Sequence, residues 1–371
     1  MFKALKGLAG AFAALALSLS LPLSASAETI TITDTEGRSV EVPHGAQRVL
    51  LGFYFEDFYA IVGENAFDRV VAISREPWEG WRNSQFQAYS AVSPRIAELI
   101  DVGYEEAGGF SVEKAIAAKP DVAIIAAWQY RGLGEEGVAK LEAAGIPVVV
   151  ADYNAQTLEK HLASTRIIGK VMASEARAEK LAGEYEAAVL DVIQRVKTAG
   201  GTPQPVYVEL GRAGPETYGN SYGNTMWGGV IKMAGGDNIA EGKIANWGPL
   251  NPEYVLARKP VAVLLAGSDW VGRDTAVLMG FGVEAGTTRA RMAAYAKRPG
   301  WSSLPAVQKG EVHAVYHGGA RTLYDYSFLQ YIAKILHPEA FADLDPVANQ
   351  ARFYETYLPI EANGSFMVKL D

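Results

Sequence analysis

Apolar and polar positions change period in a regular order along the chain. Residues 29–42 (TITITDTEGRSVEV) alternate, and Glu36-Gly37 marks a turn, so this stretch predicts a β-hairpin. Short apolar runs follow at 48–52, 69–73, 121–127 (DVAIIAA) and 147–151 (PVVVA), each read as a strand. Helical spacing fills the gaps at 54–63, 112–118 and 135–144, with Pro120 and Gly145 closing the last two. Residues 157–199 break the rhythm: they hold no proline, and Ser174-Glu175 can cap a helix over 176–198 that Gly200-Gly201 ends. The alternation then resumes, with strands at 205–210, 261–266 and 312–316 and helices at 224–234, 252–257 and 327–336. Strands alternating with helices predict an α/β fold with parallel sheets covered on both faces. The division is a first lobe over 28–156, a helical spine over 157–201 and a second lobe over 202–371. A long helix between two lobes acts as a stiff spacer, which predicts small lobe motions.

Composition narrows the function. The 371 residues include 34 Lys+Arg against 42 Asp+Glu, for a formal charge of −8, which argues against a nucleic-acid binder. There is no cysteine, so disulfides, thiol nucleophiles, iron–sulfur clusters and Cys-ligated zinc are excluded together. The first 27 residues carry Lys3 and Lys6, an apolar run and an Ala25-Ser26-Ala27 cleavage pattern. They predict a cleaved export leader, a mature chain starting at Glu28, and a periplasmic protein without a lipid anchor on cysteine.

One internal repeat directs the reading further. The first half reads SVEKAIAAKPDVAIIAAW from Ser111, and the second reads NPEYVLARKPVAVLLAGSDW from Asn251. Each runs from a polar residue through a glutamate, an apolar residue and Ala-x-Lys-Pro into a buried strand, and then to a loop carrying tryptophan. Glu113 and Glu253 occupy equivalent places.

With the Arg48-Val49-Leu50 opening, Asp101-Val102-Gly103, the long helix and the Ala234–Ile239 turn (AGGDNI), these features resemble the substrate-binding proteins of bacterial ABC importers for iron–siderophore complexes, haem and cobalamin. The resemblance covers nearly all of the mature chain. It implies two Rossmann-like lobes joined by one rigid helix, and a monomer that delivers its ligand to an inner-membrane permease and its ATPase. It also implies that Glu113 and Glu253 dock onto the permease. An acidic residue in a first helical turn also favours its own helix dipole, and both roles can hold at once.

In open α/β sheets, ligands bind beyond the carboxyl ends of the strands. In the first half that rule points to Phe53, Phe55, Gln129 and Asp152 and to the expected ligand residues Tyr54, Glu56, Arg75, Trp78, Trp81, Arg82, Trp128, Tyr130, Arg131 and Tyr153. In the second half it points to Asp269 and His317 and to the expected ligand residues Glu209, Arg212, Tyr218, Tyr222, Trp247, Trp270, Arg321 and Tyr324. Arginine binds carboxylate or catecholate oxygens through a planar fork, and Trp and Tyr add flat apolar area. This mix suits a flat, anionic, oxygen-rich iron(III) chelate with no covalently held cofactor. Haem, cobalamin and an oxyanion such as molybdate remain open as cargo. The five histidines do not cluster, so a His-rich metal site is not expected.

A different class stays on the table. Gly219-Asn220-Ser221-Tyr222-Gly223 matches G-x-S-x-G, and Asp269 and His317 follow in hydrolase order. That motif needs a strand directly before the serine and a helix directly after it, and residues 212–218 (RAGPETY) separate it from the preceding predicted strand. The receptor reading is therefore preferred to an enzyme.

Overall fold

A computed structural model of the chain describes residues 28–104 and 109–370. The expected export leader lies outside the described residues. Thr29–Thr33 pairs antiparallel with Ser39–Pro43, forming the hairpin that the alternation predicts. The Asp34 carboxylate accepts hydrogen bonds from the N–H groups of Glu36 and Arg38 and so closes its turn.

The first sheet is wholly parallel. Its order is Ile100–Asp101, Val70–Ile73, Val49–Leu51, Val122–Ala126 and Val148–Ala151. The second runs Asp237–Asn238, Pro205–Leu210, Ala262–Gly267 and Val312–Tyr316 in parallel, with Met367–Lys369 added antiparallel at the edge. Val122–Ala126 and Ala262–Gly267 are buried along their whole length, because helices cover both faces. In each sheet the strand order reverses beside that sheet's first strand in the chain, Val49–Leu51 or Pro205–Leu210. This reversal opens a crevice at the carboxyl ends.

The repeat is structural. Helix Val112–Ala117 leads into Val122–Ala126, and helix Pro252–Arg258 leads into Ala262–Gly267. Lys119 and Lys259 hold the same left-handed conformation before their prolines, each with φ of 49°.

The spine helix is Glu175–Ala199, 25 residues or about 37 Å at 1.5 Å per residue. Ala178, Leu181, Ala182, Tyr185, Val189 and Val192 form its buried stripe at three- and four-residue spacing. The Ser174 hydroxyl does not cap it as the spacing predicts; it donates to the Met172 carbonyl instead. Leu158–Val171 packs alongside, where Gly169 lets the two backbones approach the Ala178 side chain closely. Helix Pro346–Tyr357 returns from the second lobe to the spine, and the Tyr357 hydroxyl donates to Glu184 at 2.6 Å.

Candidate functional site: the cleft between the two sheets

The crevices of the two sheets face each other across a cavity of about 330 Å³, at the small end of the range for organic ligands. Phe53, Trp81, Trp128, Arg131, Asp152 and Asn154 form one wall. Arg212, Tyr222, Met226, Trp247, Trp270, His317 and Arg321 form most of the other. Phe53, Trp128 and Asp152 each follow the end of a first-sheet strand, and Trp270 and His317 follow second-sheet strands. Trp128 and Arg131 stand not in a loop but in the first part of helix Ala127–Ala143, which Gly134, at φ 65°, breaks in two. The helix starts this early because Gln129 Oε1 accepts the Ala126 N–H at 3.1 Å, a bond the preceding strand leaves open.

Aromatic faces dominate the first wall. Phe53 meets Trp128 edge-on at 5.4 Å, and Trp128 stacks on Trp81 at 6.2 Å. Two guanidiniums approach the Phe53 ring: Arg82 at 4.8 Å and Arg321 at 5.1 Å. Arg82 and Arg321 are nearly fully buried, and Arg212 is half-buried. Arg82 Nε and Nη2, Arg321 Nε and Arg212 Nε have no hydrogen-bond partner. Arg321 Nη1 reaches only the Met226 sulfur, at 3.3 Å. Among the described residues no carboxylate forms an ion pair with these three arginines. Burial and the Arg82 charge push the Arg321 guanidinium down to about 9. Burial, with Arg321, Arg82 and Arg212 around it, holds the His317 imidazole well below its usual range, so it is neutral. Burial also raises the Tyr222 phenol, keeping it protonated. Tyr54, Met226 and Arg321 all sit at positive φ, a strained conformation for such side chains.

Beneath the cleft the two lobes meet through buried carboxylates. Glu56 accepts from Tyr89, Tyr324 and Tyr354 hydroxyls and from Gln85 Nε2, at 2.6–3.0 Å. Asp57 accepts the Leu323 N–H at 2.6 Å. Asp325 accepts from Tyr185 and Gln156 and faces His161 Nε2 at 3.1 Å. Burial, with Glu56 and Asp325 close by, raises the Asp57 carboxyl well above the usual carboxylate range. Burial raises Glu56 too, against the pull of its three tyrosine hydroxyls. At the cleft's flank a strap links the lobes again. Ser268 Oγ donates to the Trp81 carbonyl at 2.7 Å, and the N–H groups of Asn83 and Val271 donate to the Asp269 and Gly80 carbonyls at 3.1 Å.

The expected ligand residues divide on this geometry. Trp81, Trp128, Arg131, Arg212, Tyr222, Trp247, Trp270 and Arg321 line the cavity. Arg82 stands directly behind Phe53. Tyr54 is one layer back, where its hydroxyl donates to Asn154 at 2.7 Å. The others do not reach the cavity. Glu56 and Tyr324 belong to the floor. Trp78 is core, stacked on Phe55 at 4.2 Å. Arg75 caps the Ala97 and Leu99 carbonyls. The Tyr130 ring covers Arg38. Tyr153 is buried against Thr165. Glu209 points away from the cleft into a buried bidentate pair with Arg298, at 2.6 and 2.9 Å. Tyr218 lies over that same guanidinium, 4.5 Å away. The strand-end rule also points to Phe53, Asp152 and His317, which line the cavity although the expected ligand set leaves them out; Asn154, Ala155, Leu210, Thr225, Met226 and Asn246 are not expected at all. Asn154, Thr225, Met226 and Asn246 carry no charge or aromatic signature.

The hydrolase arrangement does not assemble. Ser221 lies within a short strand, Asn220–Tyr222, paired antiparallel with Trp247–Pro249, where the nucleophile motif requires a sharp strand-to-helix turn. Its buried Oγ has no hydrogen-bond partner, and His317 Nδ1 instead faces Trp227 and Tyr222.

The model of the periplasmic binding protein family matches residues 49–316. The chain belongs to this family. Family members near it include the TroA-like periplasmic binding protein FepB from Veillonella parvula. That structure is 32% identical with a TM-score of 0.85, over 92% of this chain and all of that one. A vitamin B12-binding protein from Pectobacterium atrosepticum is 26% identical over 184 residues, or 49% of this chain. That match spans 62% of the relative's own length, under two thirds. The molybdate-binding protein MolA from Haemophilus influenzae shares the fold, with 16% identity and a TM-score of 0.68 over 91% of this chain and all of that one. Among the described residues no helix is long and apolar enough to cross a membrane.

Proposed function

We propose that this chain is the periplasmic receptor of an ABC importer and that its cleft captures an anionic, aromatic metal chelate of the ferric-siderophore type. The observation that carries the reading is the pair of cavity-lining guanidiniums, Arg212 and Arg321, that have no ion-pair partner beside an aromatic wall, with Arg82 behind the Phe53 ring. A buried cation without a counter-charge is costly. A polyanionic ligand supplies the missing charge, and its rings have Phe53, Trp81, Trp128 and Trp270 to lie against. A small oxyanion would satisfy the arginines but leave those faces without contact. A large ligand of low charge would use the faces but leave the arginines unpaired.

Delivery is to an inner-membrane permease and its ATPase, with Glu113 and Glu253 as the docking points. Supporting this, both glutamates are exposed in first helical turns of the repeated unit. The test of cargo is a tryptophan-fluorescence titration of residues 28–371 against ferric siderophores, haemin, cobalamin and molybdate. Saturable quenching by a ferric siderophore at a sub-micromolar midpoint, about −8 kcal/mol or better, is the expected result. A response confined to cobalamin, haemin or molybdate replaces the cargo and keeps the receptor. For docking, Glu113→Ala with Glu253→Ala is expected to abolish uptake while leaving the isotherm unchanged. Normal uptake by the double variant removes the docking role.

A further inference from the structure

His317 lines the cavity at the start of the turn His317–Gly319, directly after strand Val312–Tyr316. Its Nδ1 receives the Trp227 indole N–H at 3.4 Å, and the Tyr222 hydroxyl lies at the same distance. An indole nitrogen can only donate. Nδ1 must therefore present a lone pair, and the single proton of a neutral imidazole goes to Nε2. Nε2 makes no hydrogen bond to the described residues and is not sealed in the interior, so it is the nitrogen left for the cavity. The Trp227 ring is fully buried and packs edge-on against Phe328 at 5.5 Å, so it is not free to turn its N–H aside.

We infer that His317 is a fixed neutral donor whose Nε2–H serves an anionic oxygen of the cargo, and that it is not a metal ligand. This rests on the cargo reading above and sharpens it. For Nε2 to ligate a metal, the proton would have to move to Nδ1, leaving two N–H groups pointed at each other across 3.4 Å. The surrounding guanidiniums oppose a further positive charge as well, since burial and then Arg321, Arg82 and Arg212 already hold the ring neutral. The cleft then offers cations and neutral donors to a chelate whose metal is already satisfied by its own oxygens.

The test has two arms. In the ligand-free protein with ¹⁵N-labelled histidine, NMR reads which ring nitrogen of His317 bears the proton, assigned by its loss in His317→Gln. A protonated Nε2 and a bare Nδ1 are expected; a protonated Nδ1 overturns the inference. In the second arm, iron(III) tris(2,3-dihydroxybenzoate) and haemin are titrated into wild type, His317→Gln and His317→Phe. Gln keeps a donor near the Nε2 position and is expected to hold affinity for the ferric chelate within about 5-fold, while Phe loses about 10- to 100-fold. Equal affinity in all three removes the donor role. A histidine-ligated haemin spectrum that His317→Gln abolishes shows the opposite chemistry and overturns the inference. If wild type binds no ferric chelate, the cargo reading falls, and the proton position alone still decides whether His317 can ligate a metal.

Discussion

Arg321→Met is expected to move stability and affinity in opposite directions. The guanidinium is buried with no anionic partner, and burial together with the Arg82 charge pushes it down from the usual arginine range to about 9. At 1.36 kcal/mol per pH unit, that drop corresponds to about 5 kcal/mol of unfavourable burial. Its contact with the Phe53 ring at 5.1 Å returns about 2 kcal/mol in a desolvated setting. A net cost of about 3 kcal/mol is left in the empty protein. Methionine has similar length and no charge, and it meets the same φ of 60° as arginine does, so the backbone contribution cancels. The ligand-free variant is therefore expected to gain about 3 kcal/mol, within the range seen when buried charges are replaced by apolar groups. Urea unfolding should show a higher midpoint at unchanged slope. Affinity for the anionic cargo should fall by about 2–4 kcal/mol, or about 30- to 1,000-fold, because the ligand loses a desolvated counter-charge. Arg321→Lys serves as the control: it keeps the charge and loses the fork, so it weakens binding without stabilising the empty protein. A Met variant that is less stable than wild type, or that binds equally well, refutes the assignment of Arg321 as an uncompensated ligand-facing cation.

Three further outcomes follow from the same geometry. Arg298→Met leaves Glu209 buried without its bidentate partner and is expected to cost about 3–5 kcal/mol in urea unfolding, most of it recovered by adding Glu209→Gln. Because the folded His317 value lies below the unfolded one near 6.5, the unfolded chain alone binds that proton as pH falls. Stability is then lost from about pH 6.5 downward at about 1.4 kcal/mol per pH unit. His317→Gln abolishes this component, so the stability difference between the two proteins should change by about 1–2 kcal/mol in favour of the variant between pH 7 and 5.5. The raised Glu56 and Asp57 act in the opposite sense but equally in both proteins, and a constant difference would show that His317 titrates normally. Ser268→Ala removes one strap bond worth about 1 kcal/mol and is expected to speed ligand dissociation about 5-fold in stopped flow, with little effect on the unfolding midpoint. An unchanged off-rate removes the strap from the release step.

Periodicity reached the central strands, the spine and the repeat because those features are local, whereas the two- and three-residue edge strands Ile100–Asp101, Asp237–Asn238 and Met367–Lys369 are too short to carry a pattern. Val122–Ala126 is apolar at every position, and the spine stripe keeps its three- and four-residue spacing without interruption. The strand-end rule reached the right loops but not the right side chains, since a strand end turns successive residues in different directions. Phe53 faces the cavity, whereas Tyr54 adopts a left-handed conformation that starts helix Phe55–Val62 and swings Glu56 into the floor. Leu210 faces the cavity while Glu209, one residue back on the same strand, points the other way to Arg298. This is the two-residue period of a strand. The floor itself joins residues far apart in the chain, such as Glu56 with Tyr354, and Asp325 with His161. No periodicity links such positions. Aromatic count misled for the same reason: Trp78, Tyr153 and Tyr324 are as buried as any valine, and their rings fill the layer behind the cleft.

The two contacts between the lobes differ in what it costs to break them. The floor bonds at Glu56, Asp57 and Asp325 are buried, so opening them strands carboxylates and hydroxyls at about 1–3 kcal/mol for each unsatisfied group. The strap bonds at Gly80, Trp81 and Asn83 join the turn between two helices to residues 268–271 at the cleft's flank, and each is worth about 1 kcal/mol net. The spine adds a third restraint, because a 25-residue helix packed along one face does not bend at small cost. On the proposed reading, movement that admits or releases ligand is expected at the strap, with the floor as its fulcrum. Trp81 lies on one side of that strap and Trp270 on the other, and both line the cavity. A ligand held between them adds contacts to each side and so favours the closed strap over the open one, which is the differential binding a receptor needs. The same floor holds Thr322, Leu323 and Asp325 in place, and with them the strained turn that presents Arg321. The buried carboxylates thus brace an arginine whose own charge they do not neutralise, which on the proposed reading is the charge the cargo meets.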